Sequence, residues 1–282
     1  MLSPETEVLI TRALAEDVGL RDVTTEALVE PGRRARARID QREPGVIFGL
    51  EIAEAVFRRL DALVEWSPRR AEGEWLKEPP ATVAELEGDA RALLTGERVA
   101  LNFLQRLSGI ATATASCVYL LRGTGVEVLD TRKTTPGLRA LEKQAVVAGG
   151  GRNHRMGLDG GILVKDNHIA LAGGVGEAVR RAIDRSPPGC AVEVECDTLD
   201  DVREALAAGA RHLLLDNMTI DEMGEARKLA GEGVTLEASG GFTPQSLRGL
   251  AGTGLQSVSL GFLTHSAASL DLAMTIEPSQ EA

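Results

Sequence analysis

The chain has 282 residues, 43% of them hydrophobic and 26% charged, with a formal net charge of −11 at pH 7. That length suits one large α/β domain, alone or with a smaller companion, and the composition is that of a folded, enzyme-like protein. The acidic total argues against nucleic acid as a partner, no apolar run approaches the roughly 20 residues of a membrane helix, and the opening MLSPETEVLITRALAEDVGL lacks a secretory leader's basic-then-apolar order, so a cytoplasmic protein is expected.

In chain order, the first signals are helical: Ser3 as N-cap, Pro4 at the first helical position, then Glu5 and Glu7 in the first turn. Residues 35–50 (ARARIDQREPGVIFGL) alternate and turn like strands, and residues 52–60 return to a helical pattern. Residues 97–107 place Val99, Ala100, Phe103, Leu104 and Leu107 on one helical face, with Arg98, Asn102 and Gln105 turned away. By that pattern alone Arg98 is a solvated helix charge.

After Val126 the rhythm changes to short apolar runs alternating with helices, the mark of βα units and a parallel sheet. Strands are predicted at residues 126–129, 162–164, 191–196, 212–215, 234–238 and 257–260, with amphipathic helices at 199–208 and 220–230 among the connections. Their spacing favours a βα barrel over an open doubly wound sheet.

Polar residues gather at the carboxyl ends of these runs: Asp130, Thr131 and Arg132; Lys165 to His168; Glu195; Asp216 and Asn217; Glu237 and Ser239; Ser259. In a parallel βα fold those ends share one face, where active sites sit. Glu193 and Glu195 share one side of their strand, and two carboxylates facing a barrel interior demand cations or a metal. Cations are at hand, because residues 131–169 hold seven Lys or Arg against three Asp or Glu in an otherwise acidic chain. Such a focused patch fits a small, highly anionic ligand, bound by charge-assisted bonds of roughly 1.5–3 kcal/mol each. The opposing Glu195 and Asp216 suit magnesium or sugar hydroxyls, and the turns Ser239-Gly240-Gly241 and Ser259-Leu260-Gly261 offer backbone N–H groups to a phosphate.

Three cysteines, Cys117, Cys190 and Cys196, form no CxxC pair, and the four histidines show no HxxxH spacing. A disulfide framework and a resident zinc site are therefore not expected. No nucleophile with an adjacent base, serine triad, Walker loop or dinucleotide fingerprint is visible.

Seven segments, EDVGLRDVTTEAL (16–28), GERVALNFLQRLSGIATAT (96–114), DTRKTTPGLR (130–139), GGGRNHRMGLDGGILVKDNH (149–168), VEVECD (192–197), LLLDNM (213–218) and EASGG (237–241), closely resemble the quinolinate phosphoribosyltransferase family along nearly the whole chain. The resemblance implies an N-terminal α/β sandwich domain, residues 1–108, and an incomplete, seven-stranded α/β barrel, residues 109–265, with residues 266–282 returning to the first domain. It implies transfer of phosphoribose from phosphoribosyl pyrophosphate (PRPP) to quinolinate with decarboxylation, giving nicotinate mononucleotide, pyrophosphate and CO2 in de novo NAD biosynthesis. Quinolinate carboxylates fall to Arg132, His154, Arg155 and Lys165, with Arg98 reaching in from the partner of a homodimer, which removes Arg98 from the solvated class. Lys133 lies between the substrates near the diphosphate. Glu195 and Asp216 hold the ribose hydroxyls, directly or through Mg2+ bound with PRPP, and Ser239, Gly240, Gly241 and Gly261 form the 5'-phosphate cradle. Asn167 and His168 are expected to support their neighbours rather than touch substrate. Two rivals stand beside this reading: a relative linked to molybdate transport, opposed by the full arginine, histidine and lysine set, and a non-catalytic barrel that binds phosphorylated metabolites.

Overall fold

The computed structural model describes residues 2–279. Helix α1 (Pro4–Val18) opens as expected, with Ser3 Oγ accepting from the Thr6 amide at 3.2 Å, and α2 (Val23–Leu28) follows behind an Asp22 cap. Strand β1 (Arg34–Gln41) shows why RARARIDQ folds this way: Ala35, Ala37, Ile39 and Gln41 are buried while the arginines between them face out. Then come β2 (Gly45–Val46), α3 (Leu50–Leu60), β3 (Glu65–Pro68), β4 (Trp75–Leu76), β5 (Ala81–Asp89) and the 31-residue helix α4 (Ala90–Leu120). The pattern at residues 97–107 marked only the middle of α4. The helix continues through Gly109, where the Ala268 carbonyl packs in the place a side chain would begin.

The second half runs β6 (Glu127–Leu129), α5 (Arg139–Ala148), β7 (Ile162–Val164), α6 (Asp166–Ala172), α7 (Val175–Arg185), β8 (Val192–Cys196), α8 (Leu199–Ala207), β9 (His212–Asp216), α9 (Ile220–Ala230), β10 (Thr235–Ser239), a 3-10 turn at Leu247–Leu250, β11 (Ser257–Ser259), α10 (Phe262–His265) and β12 (Leu272–Pro278). All six predicted barrel strands lie within one residue of these bounds. Helices α8 and α9 start at capping boxes, Thr198 with Asp201 and Thr219 with Glu222, and bury Val202 and Ala205, then Met223 and Ala226.

Contacts divide the chain into two compact units: Met1–Ala113 with Thr135–Gly150 and Ser266–Ala282, and Thr114–Thr134 with Gly151–His265. In the first, an antiparallel sheet runs in the order β12-β1-β5-β3, so the last strand of the chain pairs with its first. Helix α5 groups with this unit. Its Glu142 is fully buried and accepts from Arg106 of α4 at 2.8 and 3.2 Å and from Thr135 N and Oγ1 at 3.0 and 2.8 Å.

In the second unit, six parallel strands run β6-β11-β10-β9-β8-β7. The first and last of them in chain order are neighbours, which curls the sheet toward a barrel. The expected seventh strand is reduced, among the described residues, to one parallel bridge: Arg152 pairs beside Leu129, its amide donating to Val128 at 2.8 Å. The reason is local. Arg152 follows three glycines, Gly150 at φ +85°, and this run has no alternating apolar side chains to hold a longer strand. The centre of the sheet is anchored by Leu213, Leu215, Val194, Leu236 and Val258, all fully buried, each worth about 1.5–3 kcal/mol over the exposed side chain.

Candidate active site

The carboxyl ends of the parallel strands surround a cavity of about 310 Å³ lined by Thr131, Arg132, Lys133, His154, Arg155, Leu163, Lys165, Leu214, Ser239 and Ser259. It lies wholly within the second unit. A hollow of about 340 Å³ on the antiparallel sheet is as large, but its arginines are already matched: Arg36 with Glu87 at 2.8 Å and Arg38 with Asp40 at 2.9 Å. The barrel cavity keeps an excess of cations and is the candidate site.

Each cation is set by the backbone beneath it. Arg132 and Lys133 follow β6 directly, and the Lys133 carbonyl accepts from Thr264 Oγ1 at 2.8 Å. The buried Asp130 carboxylate accepts from the His154 amide at 2.9 Å, fixing the chain as it leaves the Arg152 bridge. The Arg155 guanidinium donates to the Gly161 carbonyl at 2.8 Å, and burial together with the nearby Arg132 charge lowers its pKa. Two cations brought together against their own repulsion mark a place built for an anion. Lys165 N-caps α6, its amide donating to His168 Nδ1 at 3.0 Å, so His168 supports its neighbour as expected. The Asn167 amide turns to Asp166 Oδ1 at 2.7 Å.

The two inward glutamates of β8 find partners, as their cost required. Glu195, 8% exposed, pairs with Lys165, and Glu193 pairs with His154 at 3.1 Å. Glu195 also clusters with Asp216 and Asp197, one oxygen of each within 4.8 Å of the others. Burial first, then the charges of Asp216 and Glu195, raise the pKa of Asp197. This all-oxygen set suits a hard divalent cation. Asp197 was not foreseen, because it stands one residue past β8, where strand alternation no longer says which way a side chain points.

The glycine turns behave differently from one another. Gly240 has φ +123°, and a Cβ there would press on Asn217, whose own φ is +56°, so the chain needs glycine for this turn. Gly241 is open on that side. At Gly261 a Cβ would meet Lys133 Cδ at 3.1 Å and His265 Nε2 at 3.2 Å, so the missing side chain leaves the lysine and a further histidine beside bare backbone. His265 had no sequence signal beyond standing four residues after that glycine.

Arg98 does not line this cavity. It lies on α4 in the first unit, its side chain 60% exposed, beside a hollow formed with Asp17, Arg21, Asp22 and Thr95.

Cations at the mouth of a parallel barrel, opposite an acidic cluster and flanked by glycine turns, define a protein that receives anionic substrates at its strand ends. The chain matches the N-terminal domain of quinolinate phosphoribosyl transferase over residues 22–108 and its C-terminal domain over residues 110–275. It is 44% identical to a probable nicotinate-nucleotide pyrophosphorylase (carboxylating) of Bacillus subtilis, over 97% of this chain and 94% of the relative. It is 40% identical to the nicotinate-nucleotide pyrophosphorylase (carboxylating) of Homo sapiens, over 95% and 92%. The crystal structure of NadC from Streptococcus pyogenes superposes with a TM-score of 0.94 at 40% identity, covering 99% of both chains. The chain belongs to the quinolinate phosphoribosyl transferase family.

Proposed function

We propose that this chain transfers the phosphoribosyl group of PRPP to quinolinate with loss of CO2, forming nicotinate mononucleotide and pyrophosphate. The observation that carries the reading is the cavity itself, where Arg132, Lys133, Arg155 and Lys165 converge in an acidic protein, because a dicarboxylate must be held there beside a diphosphate. Arg132, Arg155 and Lys165 take the quinolinate carboxylates. His154 turns its Nε2 to Glu193 and accepts from the Arg155 amide at Nδ1, so it helps by fixing Arg155 and the wall. Lys133, next to Gly261 and His265, faces the leaving diphosphate. Ser239, Gly240 and Gly241 cradle the 5'-phosphate.

As the bond from ribose C1' to the pyrophosphate oxygen breaks, its electron pair leaves with pyrophosphate and the sugar gains oxocarbenium character. The pyridine nitrogen then bonds to C1'. Fixed cations around the departing charge lower this barrier without moving. The ring nitrogen, now positive, stabilises the pair left on C2 when the adjacent carboxylate departs as CO2. Bond formation needs no base, which agrees with the lack of a nucleophile-base pair in the sequence. Glu195, Asp197 and Asp216 would hold Mg2+ with PRPP or the ribose hydroxyls; when bound, the ion neutralises diphosphate charge. We further place Arg98 in the site of a homodimer partner, which fits its exposure. The three free cysteines suit the cytoplasm.

Incubation of purified protein with PRPP, Mg2+ and either quinolinate or nicotinate, followed by chromatography, tests the reading. Nicotinate mononucleotide from quinolinate alone is expected. Product from nicotinate alone would remove the dicarboxylate assignment, and no product from either would leave a metabolite-binding barrel.

A further inference from the structure

Under the cavity floor lies a cluster that these steps leave unused. Glu193 of β8 and Glu237 of β10 turn inward from either side of β9, and an oxygen of each lies with the His154 ring within a 4.8 Å group. His154 Nε2 is 3.1 Å from Glu193 and 3.8 Å from Glu237 Oε1. His154 Nδ1 accepts from the Arg155 amide at 2.8 Å, which leaves the Nε2 proton to face the two carboxylates. Two carboxylates therefore share one N–H. Glu193 has the shorter contact and also feels the Arg155 charge. Glu237 is 4% exposed; its Oε2 accepts from Ser257 at 3.2 Å, and its Oε1 has no hydrogen-bond partner among the described residues. An ionised carboxylate with a bare buried oxygen beside a second carboxylate is costly, and a protonated one is not. Burial above all, and then the charge of Glu193, push the Glu237 pKa up to about 7.

The decarboxylation has a proton to account for. When CO2 leaves, the pair of the broken C–C bond stays on C2, and a C2–H bond must form. We propose that Glu237 stores that proton and that the Ser259 hydroxyl hands it to C2. Ser259 lines the cavity on the strand beside that of Glu237; its hydroxyl donates to the Ala238 carbonyl at 3.5 Å and also interacts with the Glu237 carboxyl. The Glu237 O–H bond breaks as Ser259 oxygen takes that proton and gives its own to C2. Glu237 is left as the carboxylate and regains a proton from water after product departs. The groups facing this relay are Glu193 from β8, His154 and Arg155 from the loop after the Arg152 bridge, and Ser257 and Ser259 from β11. A bound dianion above the cluster strengthens the hold of Glu237 on its proton, so the store stays filled near neutral pH.

This inference rests on the proposed reaction, and the variants Glu237→Gln and Ser259→Ala separate the two. If wild-type protein makes no nicotinate mononucleotide from quinolinate, the reaction itself is wrong. If it does, each variant is expected to keep KM for quinolinate within about threefold and lose about 100-fold in kcat, in the range of proton-transfer catalysis, with Ser259→Thr restoring most of it and the double variant no worse than either single. A group with a raised pKa is filled below that value and emptied above it, so wild-type kcat falls at alkaline pH, and this limb disappears in Glu237→Gln. Calorimetry of quinolinate binding at pH 8 in two buffers of different protonation enthalpy should show proton uptake by wild type and none by Glu237→Gln. A Glu237→Gln variant with kcat within threefold of wild type and the same alkaline limb, or with the same proton uptake, would overturn the proposal.

Discussion

Replacing Glu142 by alanine tests how the first unit holds α5 against α4. The carboxylate is fully buried and receives four hydrogen bonds, two from Arg106 and two from Thr135. Breaking a buried ion pair by removing one partner costs about 3–5 kcal/mol. The Arg106 side chain is 24% exposed and keeps its bond to the Ala267 carbonyl at 3.1 Å, so water and backbone recover part of that loss. The lower end, about 3 kcal/mol, is expected, which corresponds to a fall in Tm of roughly 6–12 °C for a unit of this size. Glu142→Gln keeps the acceptor contacts of one oxygen but sets an NH2 where the second oxygen accepted from Thr135 or Arg106, and should lose about half as much. Scanning calorimetry with a double-mutant cycle on Arg106→Ala measures the coupling directly. A Glu142→Ala loss below 1 kcal/mol, or a coupling energy near zero, would refute the argument that this carboxylate ties the two helices together.

Arg155→Ala should weaken quinolinate binding by about 2–5 kcal/mol, read by titration calorimetry, and unchanged affinity would take Arg155 out of the site. Glu195→Ala should raise KM for PRPP more than for quinolinate, because it removes a member of the acidic cluster; the reverse order in steady-state kinetics would reassign it. If the proposed homodimer shares its sites, Arg98→Ala and Arg155→Ala proteins should each be nearly inactive, and mixing them should restore activity through hybrids with one intact site, whereas no recovery after subunit exchange is shown would place Arg98 outside the partner's cavity. Gly109→Ala should cost about 1–3 kcal/mol by forcing α4 and the Ala268 carbonyl apart, and an unchanged urea midpoint would mean that the segment after Ser266 yields freely.

The barrel was the most legible part of the sequence. Each strand is a short apolar run ending in a polar residue, and hydrophobic burial on both faces with chemistry at one end writes that pattern into the chain. The Arg152 bridge was illegible for the opposite reason: it is held by backbone hydrogen bonds to β6 within a glycine-rich run, and no side-chain period records such bonds. Helix α4 was underread because its second half is built from small residues such as Gly109, which packs against Ala268, a residue more than 150 positions away. In the site, Arg132, Lys133, His154, Arg155 and Lys165 do meet around one cavity; their place at strand ends and in one basic run pointed to an anion site, and the resemblance supplied the role of each. Asp197, His265 and the pairing of Glu237 with Ser259 needed three dimensions, since each depends on residues from separate strands or turns arriving together.

Strand β12 closes the antiparallel sheet against β1, although more than 200 residues of sequence separate them. During synthesis, therefore, β1 waits with one hydrogen-bonding edge bare until the end of the chain has left the ribosome, while the strands of the barrel unit have all emerged by then. The unit that is translated first is completed last. A chain stopped at Ser269 would carry the barrel strands intact and yet expose β1, an unpaired edge that invites pairing with other copies, so premature termination near the end should yield aggregates rather than a merely shortened enzyme.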